Sequence, residues 1–164
     1  MLTFASGSPA LWLLMGLYWA TSLGFGLWLS ITDLRWHRLP NTVVAAWLGA
    51  SALLLLLMAL VAGEPKRLLY AGAGMVILLG AYLLLHVLTR GAMGMGDVKL
   101  AGVLGFNLGF FALSALFLAT VLAFVTATFM VLIGVAVRKL SMSSRVAFGP
   151  FMILGAVIAL AMTG

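Results

Sequence analysis

The sequence contains no cysteine and few charges. Charged side chains make up 7% of the 164 residues, and only three of them are acidic, namely Asp33, Glu64 and Asp97. The absence of cysteine excludes a disulfide framework and any zinc site built from thiolates. The scarcity of charge, together with a mean hydropathy of +1.28, excludes a soluble globular domain. The composition therefore predicts an all-α integral membrane protein.

Charges and turn residues divide the chain into apolar segments long enough to cross a bilayer, which takes roughly 20 residues. We assign spans to residues 11–32, 42–62 and 68–89, with a polar connection at 33–41 and a short loop at 63–67. No positive n-region precedes the first span, so we expect it to be retained in the mature protein. A last span begins near Phe148.

The segment 100–137 carries no charge. As one straight helix it would be about 57 Å long, which exceeds the bilayer, so the segment must turn. We place the turn at residues 106–109, leaving a short fourth helix of about 10 residues and a long fifth one. Gly102, Gly105 and Gly109 would share a face and allow close helix packing, or they are ordinary glycines of a membrane helix. The plan is about six transmembrane helices in one polytopic domain over 1–164, with no soluble domain.

Lysine and arginine are distributed unequally between the two sides of this plan. The loops at 33–41, 90–99 and 138–146 carry seven of the nine basic residues, and the opposite side holds only Lys66 and Arg67. This asymmetry predicts that the three loops are cytoplasmic and that both termini lie outside. The net charge of +6 suits anionic lipids of the inner leaflet and gives no reason to invoke nucleic acid.

Asp33 and Asp97 fall on the same predicted cytoplasmic face. Alone, Asp33 reads as a solvated acid at a helix end beside Arg35, and Asp97 as a helix N-cap. As a pair, with no serine and histidine arrangement nearby, they suit aspartyl proteolysis, in which one carboxylate takes a proton from water and the other donates one. The helix dipole would favour a protonated Asp33 at the end of span 1 and an ionised Asp97 at the start of span 4.

The residues around the pair have both structural and functional interpretations. Gly94 and Gly96 permit unusual dihedral angles and close approach of a substrate backbone. Lys99 could tune the acid, contact the substrate or extend to the lipid headgroups.

The other flanking residues suit loops and helix starts. Arg35 and Pro40 read as loop architecture, and Asn41 as a cap of the second span. Gly149 and Pro150 suit the start of the last helix.

Three stretches in order resemble motifs of the type IV prepilin peptidases. The stretch Gly94-Met95-Gly96-Asp97, followed by "VKL", resembles the second catalytic motif of that family. "DLRWHRLPN", residues 33–41, resembles the first, and "FGPF", residues 148–151, resembles a signature at the start of the last helix. The resemblance covers nearly the whole chain.

The resemblance implies a peptidase of the bacterial inner membrane, with Asp33 and Asp97 as the catalytic pair. Its substrate would be a prepilin or pseudopilin, cut at the cytoplasmic face after a glycine, between a short basic leader and a hydrophobic segment. No metal or cofactor is expected. Bifunctional members carry a large cytoplasmic loop with paired cysteines and an N-methyltransferase activity. This chain has no cysteine and only nine residues between spans 1 and 2, so we expect peptidase activity without N-methylation. In this it is more similar to the small peptidases of tight-adherence (Flp) pilus systems.

Two alternatives remain open. Intramembrane proteases of the presenilin and signal-peptide-peptidase kind also use GxGD, but they carry a Tyr-Asp and a Pro-Ala-Leu motif that this chain lacks. A small transporter or assembly factor could use the aspartates as a proton or cation site. Such a protein would need polar groups near the bilayer midplane, where spans 1, 2 and 5 offer only scattered serine and threonine.

Overall fold

The computed structural model describes residues 8–137 and 147–163, which form six helices. Four of them are long and apolar enough to cross a membrane, and the other two are shorter. The predicted all-helical, membrane-type architecture is therefore confirmed. Arg138, Lys139 and Arg145, which belong to the predicted third cytoplasmic loop, lie outside the described residues. In chain order the helices are α1 (Pro9–Trp36), α2 (Asn41–Ala62), α3 (Lys66–Leu88), α4 (Met95–Phe111), α5 (Ser114–Ala136) and α6 (Gly149–Thr163).

The short helix α4 occupies the centre of the bundle. It packs against α2, α3, α5 and α6, and consecutive residues such as Leu100 and Ala101 are fully buried. A helix that is apolar on all sides is stable only where neighbours cover all of those sides. The start of α4, which carries Asp97, is therefore held by surrounding helices.

Glycines bring α3 and α4 into backbone contact. A Cβ atom at Gly74 would overlap the carbonyl oxygen of Gly105, and one at Gly109 would overlap that of Tyr70. Gly102 faces Leu79 in the same seam. The predicted close packing through Gly102, Gly105 and Gly109 is thus confirmed.

The predicted turn at residues 106–109 is wrong. The helix α4 runs without interruption to Phe111, and the chain turns at Ala112 and Leu113 before α5 begins at Ser114. Asn107 does not break the helix because its side-chain Nδ2 donates to the Val103 carbonyl 2.7 Å away. Gly109 does not break the helix either. A glycine is needed at this position because it faces the α3 backbone, where a larger residue would not fit.

Two predicted helix boundaries also move. The helix α1 continues to Trp36, so Asp33 lies in its last turn rather than in a polar connection. His37 then ends α1 in a left-handed conformation, with φ of 49°. At the other end of the bundle, Lys66 and Arg67 belong to the first turn of α3 rather than to the loop before it. The end of α1 and the starts of α4 and α6 meet at one end of the bundle.

Candidate active site

Asp33 is buried against the start of α6. Only 6% of the residue is exposed, and its Oδ2 accepts a hydrogen bond from the Gly149 backbone N–H at 3.0 Å. The first N–H groups of a helix have no partner within the helix, so the beginning of α6 supplies a donor for this carboxylate. A Cβ atom at position 149 would stand 2.9 Å from the same Oδ2, which is why a glycine fits here.

Asp97 lies in the first turn of α4, three residues after Gly94, which is the N-cap. Its carboxylate accepts a hydrogen bond from the Gly94 backbone N–H. A side chain at the third helical position commonly accepts a hydrogen bond from the N-cap backbone N–H in this way. The interpretation of Asp97 as the N-cap residue itself is therefore wrong, although its side chain does provide a hydrogen-bond acceptor for the N–H of the N-cap residue, Gly94.

The two carboxyl groups are close enough to influence each other. Burial raises the pKa of Asp97 to about 6, and repulsion from Asp33 is the second cause, only partly offset by the hydrogen bond from Gly94. Like charges at short range cannot both ionise, so the pair holds one proton over a useful pH range. Both carboxyl groups are withdrawn from solvent and each accepts a backbone hydrogen bond. Which of them carries the shared proton, and with it the order that the helix dipole favours, stays a prediction.

The glycines of the motif act through space and not through unusual dihedral angles. Gly94 has φ of −67° and ψ of 141°, and Gly96 is helical, so the predicted special conformations are wrong. A Cβ atom at Gly96 would lie 3.1 Å from the Cβ of Leu39. Gly96 therefore lets the loop between α1 and α2 pack against the start of α4.

Two left-handed residues lie in the loop between α3 and α4, before Gly94. Arg90 and Gly91 have φ of 53° and 85°, and the His86 Nδ1 lies 2.7 Å from the Met93 carbonyl oxygen. His86 thus ties the end of α3 to the segment that leads into Gly94.

Lys99 and Asn41 connect the first and second motifs directly. The Lys99 Nζ donates to the Asn41 Oδ1 at 2.9 Å. Asn41 is the first residue of α2 and makes no capping hydrogen bond, and Pro40 holds the N-cap position. The prediction of Asn41 as a cap is therefore wrong, and its side chain links α2 to α4.

An aromatic cluster that was not predicted surrounds the start of α6. The rings of Phe124 and Phe148 lie 5.0 Å apart, and Tyr82 lies 6.4 Å from Phe148. The Tyr82 hydroxyl is hydrogen-bonded to Thr120. These rings fix Phe148, which precedes the residue whose N–H contacts Asp33. The only signal in the sequence was a tyrosine within an apolar helix that also carries Tyr70.

The remaining predicted site residues lie around the rim. Arg35 is exposed in the last turn of α1, so its interpretation as loop architecture is wrong, and Pro150 is partly buried in the first turn of α6. Within residues 8–137 and 147–163, no three histidine or acidic side chains cluster so as to hold a metal ion. The expectation of a metal-independent reaction stays a prediction.

Comparisons with known proteins identify the family. The family model described as the type IV leader peptidase family matches residues 20–163. Searches of curated proteins and of solved structures gave no match. The matched region includes both aspartates and all three motifs, and it covers most of the 164 residues. The chain therefore belongs to the type IV leader peptidase family, and with its membrane-type helices it is a leader peptidase of the multi-pass membrane kind.

Proposed function

We propose that this protein is an aspartyl endopeptidase that removes the short basic leader of a prepilin or pseudopilin at the cytoplasmic face of the bacterial inner membrane. The observation that carries the proposal is the meeting of Asp33 and Asp97 at one end of the bundle, within electrostatic reach of each other. Both are largely withdrawn from solvent, and the third acid, Glu64, is paired with Arg67 at the other end.

We assign the role of base to Asp33 and that of acid to Asp97, whose raised pKa supports this choice over the order that the helix dipole favours. Asp33 takes a proton from water through its Oδ1, since its Oδ2 is held by the Gly149 N–H. The resulting hydroxide adds to the scissile carbonyl carbon, while Asp97 donates its proton to the carbonyl oxygen. Collapse of the tetrahedral intermediate breaks the carbon–nitrogen bond. The proton taken by Asp33 goes to the leaving amine, and one hydroxyl proton of the intermediate returns to Asp97 as the product carbonyl forms.

The position of the pair suits a substrate that is anchored in the membrane. Asp33 ends a membrane-length helix, and Asp97 begins a central one, so the scissile bond would lie at the membrane surface. The bias of basic residues toward this end favours the cytoplasmic side. A basic leader would then be cut where the substrate enters the bilayer.

The absence of cysteine and of a large loop between α1 and α2 supports a peptidase without N-methyltransferase activity. Only residues 37–40 connect these two helices. We therefore place the protein with the small peptidases of tight-adherence (Flp) pilus systems. The mass of the processed pilin tests this, because the mature N-terminus should leave the enzyme unmethylated.

The experiment that tests the peptidase assignment is processing of a co-expressed Flp-type prepilin. We expect Asp33→Asn and Asp97→Asn each to reduce processing by at least about 1,000-fold, because each removes one proton-transfer group. The matched control is Glu64→Gln, which neutralises the third acid at the opposite end and should process normally. Full processing by both aspartate variants would overturn the proposal.

A further inference from the structure

A groove of about 400 Å³ begins next to the candidate catalytic pair and runs along the bundle between α1 and α6. At one end it is lined by Ser30, one turn before Asp33, and by Pro150, which follows Gly149. At the other end it reaches Tyr18 and Leu160. We refer to this feature, from Ser30 and Pro150 to Tyr18 and Leu160, as the lateral groove.

The lateral groove is open toward the lipid. Its rims include Leu23 and Leu27 of α1 and Leu154 of α6, with 47%, 63% and 47% of each residue exposed. A membrane-inserted segment could therefore enter sideways from the bilayer, without passing through water.

The floor of the groove contains polar groups that lack partners. Asn107 of α4 is 4% exposed; its Nδ2 is bonded within the helix, but its Oδ1 has no hydrogen-bond partner. Trp47 of α2 is 3% exposed, and its Nε1–H also has no partner. Buried polar groups without partners are rare because they cost free energy, and inside a membrane no water replaces the missing bond. Both residues line the groove, but these two atoms are covered by their surroundings, so a bound segment would become their partner once the side chains turn toward it.

We propose that the lateral groove seats the hydrophobic segment that follows the scissile bond of the substrate, and that Asn107 recognises a hydrogen-bonding side chain within that segment. The inference rests on the proposed peptidase function. It goes further by giving the substrate segment a position between α1 and α6 and by making Asn107 a specificity-determining residue.

The dimensions of the groove suit a helical segment. Ser30 and Tyr18 are twelve residues apart on α1, or about 18 Å at the helical rise. Asn107 lies ten residues after Asp97 on α4, or about 15 Å from the reacting bond. A substrate that is helical beyond the cleavage point would bring a side chain about ten residues after the bond to the level of Asn107. An extended stretch near the bond would reduce that number.

A designed substrate series tests the specificity claim. Each probe carries a basic leader ending in glycine and then an apolar leucine and alanine segment, with a single glutamine moved through its first dozen or so positions. We expect KM to reach a minimum at one position, about threefold to tenfold below the all-apolar probe, as one net hydrogen bond provides. The minimum should disappear in Asn107→Leu. Ser51→Ala, which removes a buried polar group of α2 outside the groove, should keep it.

Disulfide mapping tests the location independently of catalysis. Because the chain has no cysteine, a single cysteine can be placed at Leu27 in the groove or at Phe117 on α5, which is 78% exposed. An Asp97→Asn background retains the bound probe, which carries one cysteine in its apolar segment. We expect crosslinks from Leu27→Cys and not from Phe117→Cys.

The outcomes separate this inference from the proposed function. Processing without a preferred crosslink at Leu27, or with no dependence on glutamine position, would overturn the groove assignment alone. A crosslink at Leu27→Cys, together with no cleavage of the probe by the enzyme that keeps Asp97, would overturn the peptidase proposal and support the groove. Recovery of copurified lipid from the groove that the probe does not displace would also overturn the assignment.

Discussion

Gly74 and Gly105 bring the backbones of α3 and α4 together, whereas α1 and α6 border the lateral groove and meet through side chains, at Asp33 with Gly149 and at Ile153 with Gly26. Asp97 therefore begins a helix fixed by backbone contact. Asp33 ends a helix that is exposed to lipid along much of its length, and its carboxylate is positioned by one hydrogen bond from Gly149. Asp97 is therefore placed by helix packing, whereas Asp33 is placed by a single polar contact beside the proposed entry route.

The largest effect is expected from disrupting the tight seam. In Gly74→Ala the new Cβ would overlap the Gly105 carbonyl oxygen, where only backbone could yield. We expect the free energy of unfolding to fall by about 3 kcal/mol, as for overpacked cores. Gly72→Ala is the matched control, because its Cβ would meet nothing within 4 Å. Denaturant titration in detergent measures both, and equal stabilities would contradict the backbone contact between α3 and α4.

A second substitution probes the contact that positions Asp33. In Gly149→Ala the new Cβ would stand 2.9 Å from the Asp33 Oδ2, which is a movable side-chain atom. We expect nearly unchanged stability and a kcat lower by about 10- to 100-fold, because a displacement of about 1 Å in a catalytic group has effects of that size. Gly24→Ala, at an open position of α1, should keep full activity. A large loss of stability without a specific loss of kcat would show that Gly149 serves folding instead.

The sequence predicted one side of this comparison better than the other. Glycine spacing in α4 indicated the tight seam as one of two interpretations, because small residues on one face allow close packing in a membrane helix. The turn at 106–109 was misplaced because asparagine and glycine usually interrupt helices, while here Asn107 bonds to its own helix and Gly109 meets α3. The contacts of Gly149 with Asp33 and of Lys99 with Asn41 join residues more than 50 positions apart. No local pattern encodes such distances.

Titration of Asp97 sharpens the relation between the two aspartates. Repulsion from Asp33 helps to raise the pKa of Asp97, so Asp33→Asn should lower that pKa, although burial, the larger cause, should keep it above its ordinary value. The chain has only two aspartates, so ¹³C-aspartate labelling gives two carboxyl signals in the wild type and one in the variant. The wild-type signal of Asp97 should titrate near the value of about 6.

The same titration sets the direction of the pH dependence. As pH rises through the region where Asp97 ionises, the pair loses its shared proton, and hydrolysis by the wild-type enzyme should decline because the general acid is no longer protonated. A pKa of Asp97 that is the same with and without Asp33 would mean that the two carboxyl groups do not meet.

The smallest effect is expected at the hydrogen bond that links α4, which is packed tightly against α3, to α2. Lys99 on α4 donates to Asn41 on α2, and both residues are exposed, so the bond should contribute only about 0.5–1 kcal/mol to the arrangement of the site. We expect Lys99→Met and Asn41→Ala each to lower kcat/KM by about twofold to fivefold, the equivalent of that free energy. If the contact is the whole effect, the double variant should be no worse than either single one. Lys66→Met, a basic residue at the opposite end, serves as the charge control. Should the two losses multiply instead, Lys99 would act on the substrate or on Asp97 independently of Asn41. The link between α2 and α4 would then depend on packing alone.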